Sequence, residues 1–175
     1  SLRAGDARLD ATLAAGPTPG VPSLDAALTA RLDATLASLA PMQPWLGTSA
    51  VIEGRAALHL TADGTPRAPR LRGTLDGSDL HVDMPQYGVA LANGRVRATL
   101  AQDAIELEQF TFRGGDGTLD AKGTLARASA AGDASRIAWR ADRFRLLNRP
   151  DMRIVVSGNG TVAFAPRKLA VSGAI

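Results

Sequence analysis

Residues 50–62, Ala-Val-Ile-Glu-Gly-Arg-Ala-Ala-Leu-His-Leu-Thr-Ala, place small or apolar side chains at every even position. The odd positions are polar, apart from Val51 and Ala57. The alternation returns in later segments such as Leu71-x-Gly73-x-Leu75 and Leu119-x-Ala121-x-Gly123-x-Leu125, which Gly, Pro, Asn and Asp residues separate. A period of two residues is typical of antiparallel strands with one apolar face and one face toward water. The sequence therefore predicts an all-β protein whose sheet carries one continuous apolar face.

The phase of the alternation slips at Gln109. Ile105 and Leu107 are odd-numbered, whereas Phe110 and Phe112 are even-numbered. A slip of one residue turns the following side chains to the other face unless an extra, bulged residue absorbs it. We therefore expect a β-bulge at Glu108–Gln109. Further strands are predicted over 137–146, where Phe144 and Leu146 share a shifted phase, over 152–164 with a turn or kink at 158–160, and over 169–175. Asn93-Gly94 is expected to bound the strand that begins with Val96, and turns are expected at 114–117 and 148–151.

Residues 24–37 fit two periodicities. Leucine recurs every fourth residue, which suits a helix, yet every even position is Leu or Ala, which suits a strand. The octapeptide Ala-Arg-Leu-Asp-Ala-Thr-Leu-Ala occurs at 7–14 and again at 30–37, which indicates a repeated structural unit. The strands that follow favour the strand interpretation. After it, a short helix is predicted near 38–47, where Ser38 can cap the first turn and Pro44 limits the length.

Composition narrows the class of protein. The 175 residues fit one domain over 1–175, which we expect to be a segment of a longer chain. There is no cysteine, and this excludes disulfides and thiolate metal sites. The net charge of +3 comes from scattered basic residues, whereas nucleic-acid binding needs a basic patch. No run of 18 apolar residues is present, so no membrane-spanning segment is expected.

Catalytic and metal-binding motifs are missing from the sequence. His59 and His81 occupy polar strand positions and are expected at the surface, and Glu106 with Glu108 is expected on the solvent face of one strand. Residues 114–120 approach a calcium-binding repeat, but the spacing fits a hairpin turn better. We expect no enzyme activity, no catalytic residue, no metal ligand and no cofactor.

Aromatic residues make up 4% of the chain and hydrophobic residues 45%, mostly Ala, Leu and Val. Large rings normally dominate the packing of a sandwich core. An aliphatic face with so few rings indicates an apolar surface that the protein's own side chains do not fully cover. An uncovered face of this size must bind lipid, bind a partner or fold over on itself.

The phrases Gly64-Thr65-Pro66-x-x-Pro69-x-Leu71-x-Gly73-x-Leu75 and Leu80-x-Val82-x-Met84-Pro85-x-x-Gly88-Val89-x-Leu91, followed by Asn93-Gly94-x-Val96, resemble the TamB family. The chain is more broadly similar to AsmA-like bridge proteins. The resemblance implies a long sheet curled into a taco-like hydrophobic groove. It also implies a periplasmic location in a Gram-negative bacterium, as part of a protein anchored in the inner membrane.

Two functions are expected on this basis. The first is a groove that carries phospholipid between the inner and outer membranes, with acyl chains as its ligand. Its predicted lining consists of Ile52, Leu58, Leu60, Leu75, Leu80, Val82, Val96, Leu100, Ile105, Leu107, Leu119 and Leu125. The alternative is a scaffold that assists the assembly of outer-membrane β-barrel proteins, with a TamA-like barrel as partner through the full-length protein. A client strand could then add to an open sheet edge.

Overall fold

The computed structural model describes residues 2–4, 7–15, 28–40, 50–65, 68–101, 104–126, 135–165 and 168–174. These residues form eleven strands: β1 (Leu2–Ala4), β2 (Ala7–Ala15), β3 (Leu28–Leu36), β4 (Val51–Thr65), β5 (Ala68–Met84), β6 (Val89–Ala101), β7 (Ala104–Gly114), β8 (Gly117–Ala126), β9 (Ser135–Asn148), β10 (Arg153–Ala165) and β11 (Lys168–Ala174). A 3₁₀ turn, Pro85–Tyr87, connects β5 to β6. No helix in the described ranges is long and apolar enough to cross a membrane.

All eleven strands belong to one antiparallel sheet, and each pairs with its neighbours in sequence order. Strands β1 and β11 lie at opposite edges, so the sheet is not closed. The predicted all-β class with a curled antiparallel sheet is therefore confirmed.

Residues 24–37 fit both a helical and a strand periodicity. In the part that the structure describes they form a strand, β3 (Leu28–Leu36). The two copies of the repeated octapeptide lie side by side in β2 and β3, with Asp10 directly opposite Asp33. The predicted short helix near 38–47 falls mostly on residues 41–49, outside the described residues. At its start, the Ser38 hydroxyl accepts a hydrogen bond from the Ala40 backbone N–H at 3.2 Å.

The hairpins alternate between two long borders of the sheet. At one border, strands β5 and β7 begin at an alanine and strands β6, β8 and β10 finish at one, and we call this the alanine border. The five residues are Ala68, Ala104, Ala101, Ala126 and Ala165. The connections at the other border contain Gly88, the tight Gly114–Gly117 turn and residues 148–153, and we call this the glycine border. The turns predicted at 114–117 and 148–151 are therefore both confirmed.

Bulges interrupt the strands. The register of β7 shifts between Leu107 and Phe110 against both of its neighbours, which confirms the bulge predicted at Glu108–Gln109. Two further bulges centre on non-glycine residues with left-handed backbone, Asp79 (φ 53°) and Arg143 (φ 45°). A bulge bends its strand and increases the local twist, so these positions help the sheet to curl.

The Asn93-Gly94 pair does not separate two strands, as its composition predicted. Strand β6 runs through it, and the register shift between Ala92 and Arg95 makes it a further bulge. Asn tolerates the positive φ of 52° that this bulge requires at position 93. Gly158 likewise lies inside β10 beside a register shift, so the predicted feature at 158–160 is a kink and not a turn.

The sheet curls most strongly at the glycine border. Strand β9 approaches β6, although β7 and β8 lie between them in the sheet order. The Asn148 backbone N–H donates a hydrogen bond of 2.7 Å to the Gly88 carbonyl, which joins the end of β9 to the turn before β6. Inside this curl Phe112, Ala141 and Phe144 are buried and form a small core.

Candidate functional site

Strand register aligns one apolar residue from every strand into a single row across the sheet. In strand order the row is Leu2, Leu9, Ala34, Leu58, Leu75, Ala98, Leu107, Gly123, Ile137, Val162 and Val171. Directly opposite residues share a face of an antiparallel sheet. We call this face the inner face. The row contains no charged or polar residue, so its direction, across the strands, is the natural axis for an elongated apolar ligand.

A second apolar row lies closer to the alanine border, and its members from β4 to β8 are Leu60, Gly73, Leu100, Ile105 and Leu125. Beside it is a cavity of about 240 Å³, lined by Leu71, Leu100, Ala101, Ala104, Ile105, Leu125 and Ala126. Every lining residue is aliphatic. Leu75 and Ile105 remain 40% and 41% exposed, although their side chains lie on the apolar face. This half of the inner face is therefore open.

The glycine-border half of the inner face is filled by the protein's own side chains. Phe144 is 2% exposed and Phe112 is 5% exposed. The partly buried side chains packed against this core are Leu80, Val82, Leu91, Val96, Phe110, Leu119, Trp139 and Val156. The Phe110 and Phe112 rings lie 4.9 Å apart between centroids. Tilted rings at this distance add favourable contact to the burial of their area.

The twelve predicted lining residues thus divide into two groups. Leu80, Val82, Val96 and Leu119 pack against the core, and Ile52 lies directly opposite Val82. The remaining seven lie in the two rows of the open half: Leu58, Leu60, Leu75, Leu100, Ile105, Leu107 and Leu125. The period-two alternation of the sequence placed all twelve predicted lining residues on one face. It did not distinguish the packed half of that face from the open half.

The outer face carries polar pairs across neighbouring strands. Asp33 accepts from Arg31 at 2.8 Å and lies 2.7 Å from the His59 ring nitrogen, and Arg97 donates to Asp76 at 2.8 Å. Hydrogen bonds from His59 and then Arg31 lower the pKa of the Asp33 carboxyl below its usual range. The hydrogen bond to Asp76 raises the pKa of Arg97. These exposed pairs keep the outer face hydrated and contribute little to stability.

The described side chains of the outer face are arranged as exposed polar pairs, without the clustering that a catalytic centre requires. Among the described residues, no three His, Asp or Glu side chains come together as metal ligands would. His59 is half exposed in its pair with Asp33, and Glu108 accepts a hydrogen bond from the Thr99 hydroxyl. Within the part of the chain that the structure describes, the open apolar half of the inner face is an extended surface with a distinct chemistry.

Residues 108–175 match the family model of the TamB C-terminal domain. The match covers less than half of the chain and supports a TamB-family assignment. The match contains most of β7 and all of β8 to β11, whereas the phrases that first resembled the family lie before it, between residues 64 and 96. No curated protein and no solved structure matches the chain.

The TamB assignment indicates a general class of function. TamB proteins are structural and transport proteins of the bacterial envelope, and the family works with TamA. An open aliphatic face is a surface that such a protein can use. The open half of the inner face is therefore the candidate functional site of this chain.

Sequence reasoning missed the residues that divide the inner face. Phe144 and Leu146 were predicted to point the same way, but Phe144 is the most buried residue of the core and Leu146 is 42% exposed. The register of β9 against β10 shifts between Arg145 and Leu147, which leaves Leu146 as an extra residue in a bulge. The clustering of Phe110, Phe112, Trp139 and Phe144 in a chain with few rings was the signal that could have located the core.

Proposed function

We propose that this TamB chain carries phospholipid acyl chains along the open, alanine-border half of its inner face. The observation that supports this most strongly is the apolar row that continues through all eleven strands. An acyl chain has no hydrogen-bonding groups, so it requires only a continuous dry surface. The row offers that surface without a polar interruption.

The dimensions of the cavity fit an acyl chain that lies across the strands. Its lining residues come from the four strands β5 to β8. Neighbouring strands lie about 4.8 Å apart, so four strands span about 14 Å. The hydrocarbon thickness of one membrane leaflet is about 15 Å, half of the bilayer core. One acyl chain can therefore lie across β5 to β8 at its normal extension.

The expected affinity suits a carrier. Removing apolar surface from water contributes about 25 cal/mol per Å², so covering a few hundred Å² of lipid contributes several kcal/mol. Because the open half has no enclosing second layer among the described residues, part of the chain stays in contact with water. A bound lipid can then move along the row without breaking any specific bond.

The finer features of this proposal follow the family. The groove would work in the periplasm, within a longer TamB protein anchored in the inner membrane, and lipid would pass between the inner and outer membranes. Work with a TamA-like barrel would involve the full-length protein. The chain itself would catalyse no reaction.

Photo-crosslinking tests the proposal. A photoreactive amino acid at Leu75 or Ile105, in protein isolated from bacterial membranes, should label phospholipid. The matched controls are Thr74 and Glu106, which neighbour these positions and lie on the outer face, and they should give no lipid adduct. Absence of lipid at both inner positions would contradict the proposal.

The same photo-crosslinking experiment distinguishes lipid transport from the assembly scaffold. Adducts with segments of outer-membrane proteins at Leu75 and Ile105, and none with lipid, would favour the assembly scaffold. As a second measurement, Leu75→Arg with Ile105→Arg should remove copurifying phospholipid. Thr74→Arg with Glu106→Arg should keep the lipid, since these substitutions add arginines to the hydrated face.

A further inference from the structure

The most exposed large hydrophobic or aromatic side chains of the described residues gather at the glycine border. Tyr87 is 56% exposed, Val155 47% and Met152 44%. Tyr87 belongs to the 3₁₀ turn before β6, while Met152 and Val155 belong to the connection between β9 and β10 and the strand that follows. The hydrogen bond from Asn148 to Gly88 holds these two segments together. They form one surface, which we call the hairpin tip.

A bulge adds Leu146 to this exposed set. Arg145 pairs with Val155 and Leu147 with Ile154, so the intervening Leu146 has no partner on β10, and it is 42% exposed. Regular pairing would have continued the alternation and kept this side chain on the inner face. The exposed leucine costs hydration free energy and adds nothing to the core around Phe144. An apolar surface gathered in this way indicates a site of contact.

Charge identifies the kind of partner. Residues 142–155 contain four arginines and two aspartates. Arg143, which lies 3.7 Å from Asp142, is 73% exposed, and the Arg149 side chain, which pairs with Asp151 at 3.1 Å, is 44% exposed. Arg145 differs from them, since it lies against the Gly114–Gly117 turn and pairs with Asp116. The hairpin tip therefore presents aliphatic and phenolic side chains beside an excess of positive charge.

We propose that the hairpin tip docks on the surface of an anionic phospholipid membrane. Apolar side chains and a tyrosine can enter the boundary between head groups and acyl chains, while arginines stay among the phosphates. The tip is already ordered by β9 and β10, so docking requires little further loss of conformational freedom. This contact is separate from the open half of the inner face, on the other side of the small core, and does not depend on lipid binding there.

Sedimentation with vesicles tests the docking. The protein should bind vesicles of equimolar phosphatidylglycerol and phosphatidylcholine, and bind far less to phosphatidylcholine alone. Each arginine near an anionic surface contributes roughly a fivefold gain in partition, so Arg149→Gln with Arg153→Gln should weaken binding by about 25-fold. The charge-matched control, Arg72→Gln with Arg136→Gln, changes exposed arginines away from the tip and should keep binding near the original level.

A second pair of variants tests the apolar contact at constant charge. Leu146→Ser with Val155→Ser should also weaken binding to the mixed vesicles, and circular dichroism should show an unchanged sheet because both side chains are exposed. Equal losses in the tip and control arginine variants would overturn the proposal, since they would indicate unspecific attraction. Failure to bind the mixed vesicles at low salt would overturn it as well. Neither result would change the crosslinking expected from Leu75 and Ile105.

Discussion

Gly94 shows how one residue allows the core to form. It is buried in β6, and a Cβ atom at this position would overlap the Phe112 ring and lie 2.7 Å from the Cβ of Leu80. Gly77 lies in β5, and a Cβ there would come closest to the flexible end of Leu80, at 3.1 Å, and would meet the Cβ of Val96 at an ordinary contact distance of 3.6 Å. The ring of Phe112 therefore reaches its position only because residue 94 has no side chain.

Gly94→Ala should lower the free energy of unfolding by about 1–3 kcal/mol, the usual cost of forcing an extra carbon into a packed core. Gly77→Ala, the matched control, should change it by less than about 1 kcal/mol because Leu80 can move aside. Urea unfolding followed by circular dichroism measures both. Equal losses in the two variants would show that Phe112 does not pack against residue 94.

Among the elements, the bulged strands explain why a simple alternation yields a curled sheet. Without the extra residue at Glu108–Gln109, Phe110 and Phe112 would turn to the outer face, because the side-chain period is two. With it, Phe110 pairs with Ala121 and Phe112 with Leu119 on the inner face. The bulge thus delivers two of the chain's four phenylalanines to the core region.

Deleting Gln109 tests this role. The shortened β7 must either expose both rings or break its pairing with β6 and β8, so the unfolding midpoint should fall and the dye ANS should bind more strongly. Gln109→Ala keeps the residue count and should leave both observations close to those of the original protein. A deletion variant as stable as Gln109→Ala would contradict the proposed function of the bulge.

At the scale of the whole molecule, the inner face divides into a packed half and an open half. Of the hydrophobic residues that are buried among those the structure describes, Phe112, Ala141 and Phe144 form the glycine-border core, and only the small Ala98 lies in the row between Leu75 and Leu107. Stability should therefore depend on the glycine-border half, and ligand contact on the alanine-border half. Aliphatic side chains would then stabilise the fold in one half of the inner face and contact the ligand in the other.

Alanine substitutions can separate the two halves. Phe144→Ala should cost about 3–5 kcal/mol of unfolding free energy, as is usual for a fully buried ring, and Phe144→Leu should cost less. Leu75→Ala should cost about 1 kcal/mol or less, since that side chain is 40% exposed. Denaturant titration gives the three values. A loss at Leu75 as large as that at Phe144 would mean that the open half is in fact packed.

Much of this architecture was accessible from the sequence. Period-two alternation predicted the antiparallel class, one apolar face and the Glu108–Gln109 bulge, and turn residues predicted the connections at 114–117 and 148–151. The bulges at Asp79 and Asn93 were missed. The change from odd to even apolar positions between Leu75 and Leu80 was a usable signal for the first. The bulge at Asn93 could not be predicted in this way, because an Asn-Gly pair more often marks a hairpin turn.

The sequence by itself determined which residues share a face within each unbroken stretch of strand, because side chains alternate along regular strand and the pattern records that alternation. Only the tertiary structure decided which part of that face is covered. Coverage depends on where bulges bend the sheet and on how the end of β9 reaches the turn at Gly88. Those are contacts between residues far apart in the chain, and a local period of two contains no information about them.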